Sequence, residues 1–337
     1  MIDNDMKDQT PNIDRVTKHL YKHYYEETQH TENNPYISSH WRYYSKFFNV
    51  QLDDEKRVKD ITGVGFGHCK WNSFFHRVLD EICIFSYLVQ LPGGSEIYKL
   101  KSSADRICRK MELDPTFDVF RQVCSLHLLN SYITSTNITG KLVIIIIGDG
   151  YGVLSALLKE RYPDATIVLA DLGKTLLVQA LHLQRAYPQM SHELIGAVDE
   201  STETDFLYCP ADEITKLETL SFNIAVNIAS MQEMNAHTIE AYFDLLRKSM
   251  QKNNIFYCCN RQSKTLVDGE KSELRHYPWS PDDKVLLDEE CPWQKYFVSR
   301  DKSKNGPTLL NRRLPFINYY DGKTIHRIVV MKQDQRA

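Results

Sequence analysis

Several features that would define other classes of protein are missing from this chain. Its eight cysteines include no CxxC pair, and the only adjacent two are Cys258 and Cys259. Cys83, Cys124 and Cys258 sit inside apolar runs, where a thiol behaves as a small hydrophobe. This spacing does not read as a disulfide framework or a zinc site. No apolar run approaches the length of a membrane span, so none is expected. The beginning, MIDNDMKDQTPNID, is polar and acidic, unlike a secretion signal, and the expectation is a cytoplasmic protein. A formal net charge of −3 gives no general attraction for nucleic acid. Acidic clusters at metal-ligand spacing are also missing: Asp282-Asp283 and Asp288-Glu289-Glu290 read as solvated loop charges, and no metal is expected.

What is present is enough to build a core. With 337 residues, 42% hydrophobic and 25% charged, the chain is expected to form two domains, or one with a substantial extension. Residues 1–139 read as a mainly helical region with clustered aromatics (Tyr36, Trp41, Tyr43, Tyr44, Phe47, Phe48), too aromatic for a disordered tail. Packing on the main domain or covering a substrate are the two uses open to it. Apolar residues at helical spacing mark 71–91, stopped by Pro92-Gly93-Gly94, and two further helices are expected over 103–111 and 115–133. Asp114 reads as N-cap of the last, with Pro115 at its first position. No strand is expected in this region. Gly63-Val64-Gly65-Phe66-Gly67 follows no strand and reads as a flexible turn rather than a phosphate loop. Lys99, Lys101, Arg106, Arg109 and Lys110 make a basic cluster, either a solvated helix face or a contact for a phosphate-bearing substrate.

From residue 140 to 333 the texture changes to alternating strands and helices. Strands are expected at 142–147, 166–170, 206–208, 222–228, 254–259 and 324–331, and helices at 152–160, 173–187 and 235–250. This alternation predicts an α/β fold with a doubly wound, mostly parallel sheet. Residues 261–320 read as loop-rich.

The chemistry concentrates at Ile144-Ile145-Ile146-Ile147-Gly148-Asp149-Gly150-Tyr151-Gly152. An apolar strand feeds a turn that needs glycine, because the backbone takes positive φ and comes close to a ligand. About twenty residues on, the strand ending at Asp171 places a carboxylate where a nucleotide-binding unit holds ribose hydroxyls. Dehydrogenases use GxGxxG; here the pattern is GxGxG. A nicotinamide-binding oxidoreductase stays open as the alternative of another class.

With Asp171-Leu172, the segment FNIAVNIASMQEM (222–234) and Tyr257 to Asn260-Arg261, the chain resembles the sugar O-methyltransferases of bacterial polysaccharide and glycolipid loci. These are class I, Rossmann-like enzymes that use S-adenosyl-L-methionine. The resemblance covers roughly 140–333, with weaker echoes at Ser39-His40-Trp41. It implies a polysaccharide-biosynthesis enzyme that methylates a sugar hydroxyl of a glycan or of a nucleotide- or lipid-linked sugar. A small non-sugar acceptor or a non-catalytic scaffold is also open, as is a homo-oligomer. One departure stands out. The class usually carries an acid two before the first glycine, where this chain has Ile146; either Asp149 compensates or the turn is organised differently.

The resemblance implies that Gly148, Asp149, Gly150 and Gly152 cradle the cofactor, with Asp171, Leu172, Asn227 and Ala229 beside them. Asp212 would take the adenine amino group, or else cap a helix. Glu233 and His237 are the catalytic candidates, expected to share one face of a continuous helix, with Glu233 removing the hydroxyl proton. Ser230-Met231-Gln232-Glu233 also reads as a capping box, which would occupy Glu233 otherwise. Asn260, Arg261 and His276 are expected at the substrate, Arg261 holding a phosphate or carboxylate. Tyr277, Trp279, Trp293 and Tyr296 are either sugar-stacking faces or loop anchors, and Arg312-Arg313 is a further candidate anion site.

Overall fold

The computed structural model describes residues 13–26, 34–89, 94–136, 138, 140–196, 204–299, 305–320 and 322–333. The acidic beginning of the chain and the Pro92-Gly93 stop lie outside them. The N-terminal layer contains α1 (Ile13–Tyr21), α2 (Ser39–Tyr44), a hairpin of β1 (Asn49–Leu52) and β2 (Val58–Thr62), and the helices α3 (Phe74–Leu88), α4 (Gly94–Met111) and α5 (Phe117–Ser135). The hairpin corrects the expectation of no strand here: it is short and mostly exposed, so it has little apolar alternation to show. Helix α5 is capped by Thr116, not Asp114, whose carboxylate instead accepts the Trp71 N–H at 2.8 Å.

The remainder alternates as expected. In order come β3 (Val143–Ile147), α6 (Val153–Arg161), β4 (Thr166–Asp171), α7 (Gly173–Ala186), β5 (His192–Leu194), β6 (Phe206–Pro210), β7 (Phe222–Ile228), α8 (Ala236–Ser249) and β8 (Met250–Arg261). After these come β9 (Ser263–Thr265), β10 (Lys271–Glu273), β11 (Lys284–Glu290), β12 (Tyr296–Val298), β13 (Thr308–Leu309), β14 (Arg312–Arg313), β15 (Ile317–Tyr319) and β16 (Thr324–Val330). The region read as loop-rich therefore carries short hairpins and one long strand, β11.

Eight strands form the main sheet in the order β11-β16-β8-β7-β3-β4-β6-β5. All neighbours are parallel except β16, which runs antiparallel to both β8 and β11. This is a doubly wound, mostly parallel α/β fold. Its inner strands are buried on both faces, which is why Val-Ile-Ile-Ile-Ile reads as a continuous apolar run. The chain winds from β3 to β4 on one side and reaches β7 on the other, so β3 marks the topological switch point. The register sets Ile147 opposite both Ala170 and Asn227. Three strand tips thus end level, and the segments that leave them meet at one edge of the sheet.

One apolar cluster joins α4 and α5 to α6, α7 and the sheet without a break, while α8 packs on the opposite face. The change of texture near residue 140 marks a change of element type within a shared core. No described helix is long and apolar enough to cross a membrane.

Candidate functional site

Gly148 follows β3 at φ +76°, and a Cβ there would lie 2.1 Å from the Ser230 hydroxyl. Only glycine fits both the dihedral and the space. Gly150 and Gly152 also take positive φ, and Gly152 caps α6. Between Gly148 and Gly150, Asp149 turns inward and accepts the Leu154 N–H at 3.2 Å and the Ser155 N–H at 2.8 Å. Its carboxylate satisfies the first orphan donors of α6 and favours the positive helix end. Burial pushes its pKa up to about 6 against these bonds. Ile146 is in the core, so Asp149 is the acid that organises this turn.

Asp171 ends β4. One carboxylate oxygen accepts the Leu172 N–H and the other accepts from Gln179 Nε2, both at 2.7 Å. Burial raises its pKa to about 7, and the Asp149 and Glu233 charges push the same way. A carboxyl neutralised by folding opposes folding as pH rises from its unfolded value near 4 to about 7. The stability advantage of Asp171→Asn over the native chain should therefore grow across that window by a few kcal/mol, then level off. Thermal melts of both proteins between pH 4 and 8 check this; a difference that stays flat would contradict it.

A side-chain network fixes the tips of β3, β7 and β8 to one another. Asn227 Nδ2 donates to the Ile147 carbonyl at 2.8 Å and to Ser230 Oγ at 2.5 Å, and the Ser230 hydroxyl donates to the same carbonyl at 2.9 Å. Asn260 donates to Asn227 Oδ1 at 2.7 Å and accepts the Gln232 N–H at 3.1 Å. Gln232 Oε1 in turn accepts the Arg261 N–H at 2.7 Å. Asn227 and Asn260 are fully buried and spend their amides on this frame, so both are positioning residues rather than ligand contacts. Ala229, at φ +59°, turns the backbone outward and reaches the cavity wall.

The capping-box reading is overturned. Helix α8 begins at Ala236, capped by Asn235, whose Oδ1 accepts the Thr238 N–H at 2.9 Å. Residues Met231–Glu233 form a separate 3₁₀ turn, and Met234 is extended. Glu233 and His237 therefore do not share a helix face: His237 is exposed and packs on Tyr36 outside the cavity. Glu233 points into the cavity instead. Lys264 Nζ donates to its Oε1 at 2.6 Å, and His40 Nε2 lies 3.4 Å from its Oε2. Burial opposes its charge, but the neighbouring His40 imidazole and the Lys264 ammonium outweigh that and hold its pKa below the usual carboxylate value. The Ser38 hydroxyl donates to the Glu233 carbonyl at 2.5 Å, tying α2 to this turn.

These groups open onto one cavity of about 440 Å³ between the sheet edge and the N-terminal layer. The strand tips of the sheet and the segments that follow them contribute Gly148, Asp149, Gly150, Asp171, Leu172, Ala229, Glu233, Arg261 and Lys264. Trp41 and Tyr44 of α2 face them, with Phe66 packed 5.1 Å from the Tyr151 ring over the glycine turn. Residues 63–67 are thus a packed wall and not a free turn: a Cβ on Gly65 would lie 2.7 Å from the Tyr44 ring. Helices α3 and α5 add His76, Asp80, Asp118, Arg121 and Gln122.

The remaining candidates lie elsewhere. Asp212 is exposed in the 3₁₀ turn after β6, where Pro210 is the N-cap, and the neighbouring Ala211 lines the cavity. His276 is exposed and paired with Glu273 at 3.0 Å. Tyr277 and Trp279 pack with Phe243 in the core, and Trp293 is buried, donating to Ser125 Oγ at 3.2 Å. Tyr296 packs 5.3 Å from Tyr319. Arg312 and Arg313 sit on an exposed hairpin, and Asp283 is not solvated but buried against Arg247 at 2.9 Å. In the basic cluster Lys101 pairs with Asp105 at 3.1 Å and Arg106 with Glu160, away from the cavity. Sequence reasoning missed Lys264, and His40 only echoed the family resemblance. No local spacing announces either one. Among the described residues, no group of three His, Cys, Asp or Glu could hold a metal ion.

No protein-family model matches the chain, and no curated protein matches it. Among solved structures, it is similar to an S-adenosylmethionine-dependent methyltransferase from Clostridium acetobutylicum, at 12% identity over 60% of this chain and 89% of that one, TM-score 0.36. It is also similar to TehB from Haemophilus influenzae, at 9% identity over 59% and 61%, TM-score 0.38. A third is coclaurine N-methyltransferase bound to N-methylheliamine and SAH, at 12% identity over 66% and 70%, TM-score 0.35.

Proposed function

We propose that this chain is an S-adenosyl-L-methionine-dependent O-methyltransferase whose acceptor is a sugar hydroxyl of a glycan or of a nucleotide- or lipid-linked sugar. One observation carries the reading: the left-handed Gly148-Asp149-Gly150-Tyr151-Gly152 turn and the Asp171 carboxylate meet at the switch point, on the same cavity as Glu233. The cradle fits the cofactor because its first glycine excludes any side chain, leaving backbone at the surface. Gly148, Gly150 and Ala229 would hold the methionine and ribose portions, and Asp171 would accept from the ribose hydroxyls. When bound, the cofactor supplies a methyl group on a positively charged sulfur.

The rest falls to the chain's own side chains. A hydroxyl oxygen attacking in line must lose its proton as the new bond forms. Glu233 is ionised beside His40, and this pair takes that proton, with Lys264 fixing the carboxylate. Asp80, Asp118, Gln122 and Gln294 supply hydrogen-bonding groups, while Trp41, Tyr44, Phe297 and Tyr320 supply aromatic faces. That mixture suits a ring with apolar C–H faces and a hydroxylated rim.

Arg261 has no ion-pair partner among the described residues and lines the same cavity, so it anchors an acidic or phosphorylated acceptor. Incubation with methyl-labelled cofactor and a panel of such sugars should place the label on an acceptor oxygen. Arg261→Ala should then raise the acceptor KM by roughly 10–100-fold with kcat nearly unchanged. Label on nitrogen or carbon acceptors alone would contradict the reading.

A further inference from the structure

The strand order gives the cavity two ends. Asp171 closes β4, with the glycine turn and Glu233 on its β3 and β7 side and the tip of β6 on the other. The register sets Asp171 opposite Pro210, so Ala211 comes next beyond that tip. With the ribose on Asp171 and the methionine portion on the glycine turn, the β6 side is left for the base. Leu172, Ala211 and Met234 line the cavity there with apolar surface, and Tyr36 adds a ring from the N-terminal layer. Asp212, expected to take the adenine amino group, is exposed instead.

A different polar group stands at this end. Thr238 and Tyr242 lie one turn apart on the same face of α8, and both line the cavity. Thr238 spends its hydroxyl proton on Asn235 Oδ1 at 2.9 Å. Tyr242 is fully buried, yet its hydroxyl has no hydrogen-bond partner among the described residues. Buried hydroxyls are nearly always paired, because an unpaired one has given up water for nothing. A core position with no polar task is filled as well by phenylalanine. Burial raises the Tyr242 pKa far above the usual tyrosine value, and the nearby Asp171 carboxylate adds to this. The group therefore stays a neutral hydroxyl, able both to donate and to accept.

We infer that Tyr242 is a specificity-determining residue whose hydroxyl pairs with the hydrogen-bonding edge of the adenine of S-adenosyl-L-methionine. The inference rests on the cofactor reading given above. An adenine edge sets an amino donor beside a ring-nitrogen acceptor, and one hydroxyl can meet either.

Tyr242→Phe removes the oxygen and keeps the ring. The melting temperature of the free chain should be unchanged or slightly higher, because the hydroxyl has no partner to lose. Affinity for S-adenosylhomocysteine, measured by calorimetry, should fall on the order of 10-fold. Two analogues of that ligand identify the atom read: one whose base lacks the amino group, and one with the adjacent ring nitrogen replaced by C–H. One of them should bind the native chain about 10-fold more weakly, and Tyr242→Phe should add no further loss to it. Asp212→Asn should bind S-adenosylhomocysteine as the native chain does. Undiminished affinity in Tyr242→Phe, a lowered melting temperature, or losses that add for both analogues would overturn the inference alone. A native chain that ignores S-adenosylhomocysteine would overturn the cofactor reading beneath it.

Discussion

Glu233→Gln is expected to lower kcat by about 10²–10⁴-fold while leaving the affinity for S-adenosylhomocysteine within about a factor of two. The amide keeps the shape of the side chain and can still accept from Lys264, but it removes the charge beside His40. Because the two groups lie 3.4 Å apart and share one task, their losses should not add. His40→Gln should cost nearly as much as Glu233→Gln, and the double variant little more than either. Steady-state kinetics at saturating acceptor, with calorimetry for the cofactor product, separates these effects. Cap loss cannot imitate the result, because Asn235 holds the start of α8. Normal turnover in Glu233→Gln would remove the pair from the mechanism.

Gly148→Ala is expected to have the largest effect on the cofactor cradle. The added Cβ meets Ser230 Oγ at 2.1 Å, and that hydroxyl cannot retreat without leaving the Ile147 carbonyl and Asn227. The residue would also hold φ +76°, a conformation that costs an L side chain about 1–2 kcal/mol. Loss of the network adds to this, so the melting temperature should fall by roughly 5–10 °C and cofactor affinity by at least about 30-fold. Gly140→Ala is the control, since Gly140 takes φ +86° with nothing within 4 Å of its added Cβ. It should show the backbone cost alone and bind cofactor normally. Equal effects at the two positions would mean that the contact with Ser230 is unimportant.

The parts of the fold legible in the sequence are those whose cause is local. Strands buried on both faces are apolar throughout, so β3, β4, β7 and β8 announce themselves. Edge strands do not. Lys284–Glu290 is mostly exposed and ends in three acids, of which Asp288 pairs with Arg327 across the sheet. That composition protects an open edge and reads as loop. His192–Leu194 is too short to show alternation at all.

The candidate site divides in the same way. A glycine at positive φ and a carboxylate at a strand tip are visible because each sits directly at the end of its strand. The frame of Asn227, Ser230 and Asn260 joins three strands, so its amides look like ligand contacts until their partners are seen. Ser230 matches a helix cap in spacing, yet its hydroxyl fills the space above Gly148. His40 and Lys264 flank Glu233 from positions 193 residues before and 31 residues after it, a proximity only the tertiary structure creates.

Titration of S-adenosylhomocysteine into the full chain by calorimetry, with NADH as control, tests the assignment of the cradle to S-adenosyl-L-methionine most directly. Micromolar binding of the first and none of the second is the predicted result. Binding of NADH alone, or silence from both, would contradict that assignment.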